Sequence, residues 1–235
     1  MSLKELVRKK DYKTDKVSAA ITVLPFIILV VSVIYIASQN EYFLTLRNIS
    51  SILLQTSSLA VMSIGMTFVL IGGGIDLSIP PVMATSAILG VMYMANGGNS
   101  FVAFLIMIGT GMLCGLINGF AIAYLNMIPF VVTFSMQMIT FGFSMWITNS
   151  TGVTGMNPAF QDTVLFNIGG FALPIFVMVL IMIAAQLFLK KSYIGRWLYL
   201  SGTNIKMAEV SGIPAKRTIF VTYLISGAMA GLAGV

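Results

Sequence analysis

The chain has 235 residues, of which 58% are hydrophobic and 9% charged, with 13 Lys/Arg against 7 Asp/Glu. A soluble domain carries about 25% charged residues because its surface faces water. The composition therefore excludes a disordered chain and argues against a soluble globular domain. Histidine is absent and Cys114 is the only cysteine, which excludes His/Cys metal sites, internal disulfides and Cys–His catalysis. We expect an all-α integral membrane protein without a metal or a cofactor.

Apolar runs long enough to cross a membrane recur along the chain, since about 20 apolar residues in a helix span roughly 30 Å of hydrocarbon. They predict a polytopic helical bundle of about seven transmembrane helices, at 17–38, 49–71, 79–96, 101–125, 128–149, 171–189 and 218–235. The first run is too long for the core of a signal peptide, so we interpret it as a retained signal anchor. The last run reaches Val235 without a polar flank, so we expect the chain to be cut short at its C-terminus.

The basic residues predict the orientation of these helices. Six Lys/Arg lie in 1–16 and six in 190–217, whereas the opposite side has only Arg47. Because cytoplasmic segments of membrane proteins are rich in Lys and Arg, both clusters are predicted to be cytoplasmic, in a multi-pass protein of the cell membrane. We expect a basic cytoplasmic segment at 1–16 followed by a transmembrane domain at 17–235. Cations placed at helix ends do not form a nucleic-acid footprint.

A polar break separates the second and third spans, with the sequence GGGIDLSIPP at 72–81. Three glycines end one helix, Ser78 is predicted to cap the next, and the prolines begin it. Irregular backbone in a membrane must be buried in protein or line a watery cavity, and an intramembrane charge such as Asp76 is costly. Two interpretations remain open. Gly73, Gly74, Asp76 and Ser78 line a path for a polar solute, or Asp76 ties down the amides freed by the break.

Glycines at four-residue spacing mark one face of the fourth span and of the last span: Gly111, Gly115 and Gly119, then Gly227 and Gly231. Such spacing lets a second helix approach closely. Asn118 lies beside the first set, and it either hydrogen-bonds to a neighbouring helix or lines the path.

The segment 190–217 contains signals for a short helix. Asn204 is a candidate N-cap, 205–211 the helix, Gly212 its C′ residue and Pro214 a stop. A short, delimited helix among cations suggests docking to a cytoplasmic partner, and the alternative is a surface helix that rests on lipid headgroups. The P-loop pattern GxxxxGK[ST] is absent from the chain, so we expect no nucleotide hydrolysis through a P-loop.

Several segments resemble the ribose-type sugar permeases of ABC importers. GMTFVL at 65–70 with GGIDLS at 73–78 is similar to that family's signature, and IPFVVT at 128–133 to another of its segments. The family's inner-loop pattern is matched by Gly195, Arg196, Tyr199, Gly202, Asn204, Ala208, Ser211, Gly212, Ile213 and Arg217. The resemblance covers about residues 45–235.

The resemblance implies a permease subunit that forms the translocation path for a monosaccharide such as ribose, in a parent of about ten transmembrane helices. It implies a non-enzymatic chain whose partners are membrane lipid, a second permease subunit, a cytoplasmic ABC ATPase and an extracytoplasmic solute-binding protein. Segment 190–217 would be the coupling loop, with ATPase-coupling residues Gly195, Arg196, Gly202, Asn204, Ala208, Ser211, Gly212 and Ile213. The alternatives are an ABC permease for branched-chain amino acids or nucleosides, and an ion-coupled secondary transporter.

Overall fold

The computed structural model describes residues 3–235, with side chains from Ile21 onward. This part of the chain forms ten helices and one short antiparallel hairpin: α1 (Leu3–Gln39), α2 (Leu46–Ile71), α3 (Ile79–Ala95), α4 (Ser100–Ala123), α5 (Pro129–Ile147), α6 (Pro158–Val164), β1 (Asn167–Ile168), β2 (Phe171–Ala172), α7 (Leu173–Lys191), α8 (Tyr193–Thr203), α9 (Ile205–Val210) and α10 (Ala215–Ala233). The prediction of an all-α polytopic protein is confirmed.

The chain divides into two compact units, 1–51 and 52–235. In the first unit, α1 is followed by a turn in which the side chain of Asn48 donates a 2.7 Å hydrogen bond to the carbonyl of Phe43. The predicted basic segment 1–16 is helical from Leu3 on. Its side chains lie outside the described part of the structure.

Five helical segments in the described chain are long and apolar enough to cross a membrane: Ile21–Gln39 within α1, and α2, α4, α5 and α7. The predicted span 79–96 corresponds to α3, which has 17 residues and ends one residue earlier, at Ala95. The span at 218–235 corresponds to α10, which begins earlier, at Ala215. The protein is therefore a multi-pass helical membrane protein, whereas the count of seven spans and the orientation remain predictions.

The second unit is organised around a very close pair of helices, α4 and α10. A β-carbon built at Gly111 would overlap the carbonyl oxygen of Gly227, and one built at Gly115 would overlap that of Tyr223. On the other helix, Gly231 meets the backbone of Met107 in the same way. The predicted close packing of the glycine faces is confirmed, and the two backbones touch along their length.

Helices α3 and α5 pack beside this pair. The hydroxyls of Thr85 on α3 and Ser144 on α5 lie 2.8 Å apart, and Thr85 also donates to the carbonyl of Thr140. Two apolar clusters complete the core on either side of the break at 72–78: Val69, Ile122, Ala123, Val132, Ile219 and Tyr223, and then Ile79, Val82, Cys114, Met136 and Ala230.

Candidate functional site

The break between α2 and α3 is irregular and partly enclosed by protein, with Gly73 and Ile75 exposed. Gly73 has φ +81°, a conformation that favours glycine, and the amide of Gly74 donates to the carbonyl of Val69 over 3.0 Å. A β-carbon at Gly74 would overlap the hydroxyl of Tyr223. The glycines are thus required by both backbone conformation and close contact.

Asp76 lies at the centre of a buried hydrogen-bond network. Its Oδ1 accepts from the amide of Ser78 over 3.0 Å and from its hydroxyl over 2.6 Å. Its Oδ2 accepts from the hydroxyl of Ser226 over 2.8 Å. The hydroxyl of Ser78 in turn accepts from Nδ2 of Asn118 over 2.9 Å. The four side chains, each at most 4% exposed, join the break to α4 and α10.

The cap of α3 differs from the prediction. Ser78 occupies the N-cap position, but its side chain makes no capping hydrogen bond. No capping bond can form because Pro80 and Pro81, at the second and third helical positions, have no amide hydrogen, and the hydroxyl donates to Asp76 instead. The contacts of Asp76 are those expected of a side chain that ties down the break.

Little space is left beside the carboxylate. The gap bounded by Asp76, Ser78, Cys114 and Gly227 is too narrow for a water molecule. The carbonyl of Ile75 is held on the other side, by the hydroxyls of Thr133 at 3.3 Å and Tyr223 at 3.5 Å. In this conformation a sugar has no room next to Asp76.

The segment 190–217 contains one helix more than predicted. Ser192 caps α8, with its Oγ accepting from the amide of Gly195 over 2.9 Å. A β-carbon at Gly195 would overlap the carbonyl of Leu189, so this glycine allows the sharp turn between α7 and α8. Because glycine has a low helix propensity, no helix was predicted through Gly195 and Gly202.

The short helix α9 has the predicted caps. Oδ1 of Asn204 accepts from the amide of Met207 over 3.0 Å. At the other end, Gly212 has φ +78°. Its amide donates to the backbone carbonyl of Glu209, and the amide of Ile213 donates to the backbone carbonyl of Ala208, both over 3.0 Å. This pair of bonds is the Schellman motif, with Gly212 at C′. The helix ends at Val210, one residue before the predicted end.

The end of α8 lies directly against the break. A β-carbon at Gly202 would overlap the carbonyl oxygen of Ile71, and one at Gly73 would lie 3.2 Å from the carbonyl oxygen of Gly202. Leu198, which is 1% exposed, approaches Gly72. The two sets of site residues predicted from the sequence therefore meet, through backbone atoms.

The predicted coupling residues divide into a buried and an exposed group. Gly195, Ala208 and Ile213 are buried and Gly202 faces the break, whereas the exposed members are Arg196, Asn204, Ser211 and Gly212.

The most prominent exposed side chains of α9 were missed by the sequence analysis. Val210 is 87% exposed, Met207 65% and Ile205 46%. The sequence contained a signal for this surface, since three residues of the short helix are apolar although the helix packs against the protein through Ala208. Among the described residues, no group of three or more His, Cys, Asp or Glu side chains could hold a metal ion.

Comparison with known proteins places these features in a family. The family described as branched-chain amino acid transport system, permease component, matches residues 48–235. The D-allose transport system permease protein AlsC of Escherichia coli K12 is 30% identical over 213 residues, which cover 89% of this chain and 65% of that protein. No solved structure matches.

Two further relatives carry the names of other sugars. The ribose import permease protein RbsC of Bacillus subtilis 168 is 33% identical, over 89% of this chain and 66% of that protein. The fructose import permease protein FruG of Bifidobacterium longum is 27% identical, over 97% of this chain and 69% of that protein. This chain thus spans about two thirds of the length of the curated relatives it matches. The family match includes the break, α8 and α9, and the chain belongs to the family of permease components of branched-chain amino acid transport systems.

Proposed function

We propose that the chain belongs to a permease subunit of an ATP-powered importer that carries a monosaccharide. The relatives named for allose, ribose and fructose support a sugar rather than the amino acid of the family's description. The chain is not itself an enzyme in this proposal and needs no cofactor, since ATP is hydrolysed on a separate ATPase chain. A second permease subunit and an extracytoplasmic binding protein complete the importer.

The observation that carries the proposal is the exposed apolar surface of α9, formed by Ile205, Met207 and Val210. A side chain the size of valine gains about 1.5–3 kcal/mol when it is fully buried, so 87% exposure of Val210 leaves most of that free energy for a partner. The Asn204 cap and the Schellman motif fix the helix before any partner binds. We propose that this surface docks the ATPase. The same docking favours an ATP-driven importer over an ion-coupled transporter.

The basic residues support the orientation in this proposal. Lys190, Lys191, Arg196 and Lys206 precede or lie within the α8–α9 segment, and 1–16 carries six more cations. Positive charge is retained on the cytoplasmic side of a cell membrane. Both segments therefore face the cytoplasm, where the ATPase is found.

We further propose that the break lines the sugar path. Gly73 and Ile75 are exposed there, and exposed irregular backbone at membrane depth requires a watery surface. Gly74 abuts Tyr223, while Asp76, Ser78 and Asn118 lie buried behind the break and hold it in place. The path opens and closes by movement of this backbone, and the network determines its position.

The docking proposal is tested by Val210→Asp in the complete protein. The matched control is Thr203→Asp, which places the same charge at another exposed position of the α8–α9 segment. We expect the ATPase to be lost on co-purification from detergent with Val210→Asp and retained with Thr203→Asp. Full recovery of the ATPase with both variants would refute docking at α9 and would favour a helix that rests on headgroups.

A further inference from the structure

The contact between α8 and the break joins the two parts of the proposed function. We propose that the C-terminal end of α8, which adjoins α9, transmits movement of α9 to the break, and that Gly202 is the positioning residue at which this movement is passed on. The inference rests on the proposed docking of the ATPase at α9. It adds a specific route, and a role for Gly202 that differs from contact with the ATPase.

The contacts between helices α8 and α9 indicate that the two helices move together. Asn204 alone separates them, and its amide donates to the carbonyl of Leu200 in α8 over 3.2 Å while its side chain caps α9. Trp197 of α8 packs against a cluster formed by Ala208, Ile213 and Ala215. A displacement of α9 therefore carries the end of α8 with it.

The contact of Gly202 with the break, at the end of α8 that adjoins α9, has no flexible side chain that could absorb this displacement. Gly202 meets the carbonyl of Ile71 and the backbone of Gly72, and the carbonyl of Gly202 faces Gly73. Contacts between side chains can relax by a change of rotamer, whereas backbone atoms in contact must move as one. Leu198, buried against Gly72, fills the adjoining space.

The break passes the displacement onward. Residues 72–78 lie between α2 and α3 and have few helical hydrogen bonds to resist bending. Only two residues separate Gly73 from Asp76, whose carboxylate is bonded to Ser226 of α10 and to Ser78, which precedes α3 and links it to α4. A shift of the Gly202 contact therefore bears directly on the network that positions the proposed path.

The test compares Gly202→Ala with Gly142→Ala in the complete importer, reconstituted in liposomes with its ATPase and sugar-loaded binding protein. Gly142 lies in α5 with no atom within 4 Å of an added β-carbon. We expect Gly202→Ala to bring down the ratio of stimulated to basal ATP hydrolysis, and sugar uptake, by about tenfold. The ATPase should still co-purify, and Gly142→Ala should change neither quantity. Retained stimulation in Gly202→Ala would overturn the proposal.

A size-exchange pair keeps the proposal testable if Gly202→Ala does not reach the membrane. Gly72→Ala places a β-carbon 3.2 Å from Cδ1 of Leu198, and Leu198→Ala removes that atom. We expect Gly72→Ala to lower the stimulated-to-basal ratio and Leu198→Ala to restore it in the double variant. Purely additive effects would count against the contact as a route of transmission. Val210→Asp separates the two hypotheses, since retained ATPase there contradicts docking, whereas retained stimulation in Gly202→Ala with docking intact contradicts only the route.

Discussion

The hydroxyl of Ser226 donates a 2.8 Å hydrogen bond to the carboxylate of Asp76, a residue 150 positions earlier in the chain. The bond ties the middle of α10 to the break that precedes α3. Both side chains are buried, at 0% and 4% exposure, so the pair is shielded from water and from the lipid that surrounds the helices. It follows that α10 and the break respond to each other's position.

The first prediction concerns the charge of Asp76. Asp76→Ala removes three hydrogen bonds, each worth about 1.5–3 kcal/mol when one partner is charged, so the protein should fall in membrane abundance and in thermal stability in detergent. Asp76→Asn keeps an acceptor for Ser78, and it should remain abundant while sugar uptake falls. Asp162→Asn, at an exposed carboxylate of α6, is the control. Normal uptake in Asp76→Asn would remove the charge from the mechanism.

The second prediction concerns the contact between α4 and α10. Gly115→Ala places a β-carbon on the carbonyl of Tyr223, so the helices must separate and the unfolding temperature in detergent should fall by several degrees. Gly109→Ala on the same helix meets no atom within 4 Å and should raise stability slightly, because alanine favours a helix by about 1 kcal/mol over glycine. Equal melting temperatures for the two variants would contradict the observed packing.

The third prediction concerns the cap of α9. Gly212→Val forces a β-branched residue into a left-handed conformation, with φ +78°, and should disrupt the Schellman motif. We expect co-purification of the ATPase to decrease and its stimulation by sugar to be lost. Gly212→Asn is the matched control, since asparagine tolerates this conformation and should keep most of the binding. Identical behaviour of the two variants would show that backbone conformation at this cap is unimportant.

The fourth prediction tests the orientation. Thr154 and Thr203 are both exposed, and the charge distribution predicts that they lie on opposite sides of the membrane. Single cysteines at these positions, in a Cys114→Ser background, should react differently with an impermeant thiol reagent on intact cells. Thr154→Cys should label and Thr203→Cys should label only after the membrane is opened. Labelling of Thr203→Cys on intact cells would reverse the topology.

Local signals in the sequence were sufficient for several features of the fold. The helix break followed from glycine and proline at 72–81, and the caps of α9 from Asn204 and Gly212, because each of these residues acts on its own stretch of backbone. The four-residue spacing of glycines predicted the close packing of α4 and α10, because a helix face without side chains lets a second backbone approach closely.

Features that depend on distant residues could not be predicted in the same way. Nothing near Asp76 indicates that Ser226 donates to it, and nothing near Gly202 indicates that the carbonyl of Ile71 lies against it. The expected capping by Ser78 was wrong because Pro80 and Pro81 stand at the two positions whose amides a cap would accept from, and proline has no amide hydrogen. Helix α8 was missed because its glycines serve tertiary contacts.

The backbone contact along the glycine faces of α4 and α10 restricts how the protein can change shape. Asn118 lies in α4 and Ser226 in α10, and both belong to the Asp76 network. The distance between the two helices, and so between these two residues, is set by main-chain atoms that are already in contact. Sliding the helices along each other would drive carbonyl oxygens into the neighbouring backbone, and separating them would break this close packing. The pair therefore moves as one rigid unit, whereas α3 and α5 meet through short hydroxyl side chains, whose hydrogen bonds can change partners by rotation.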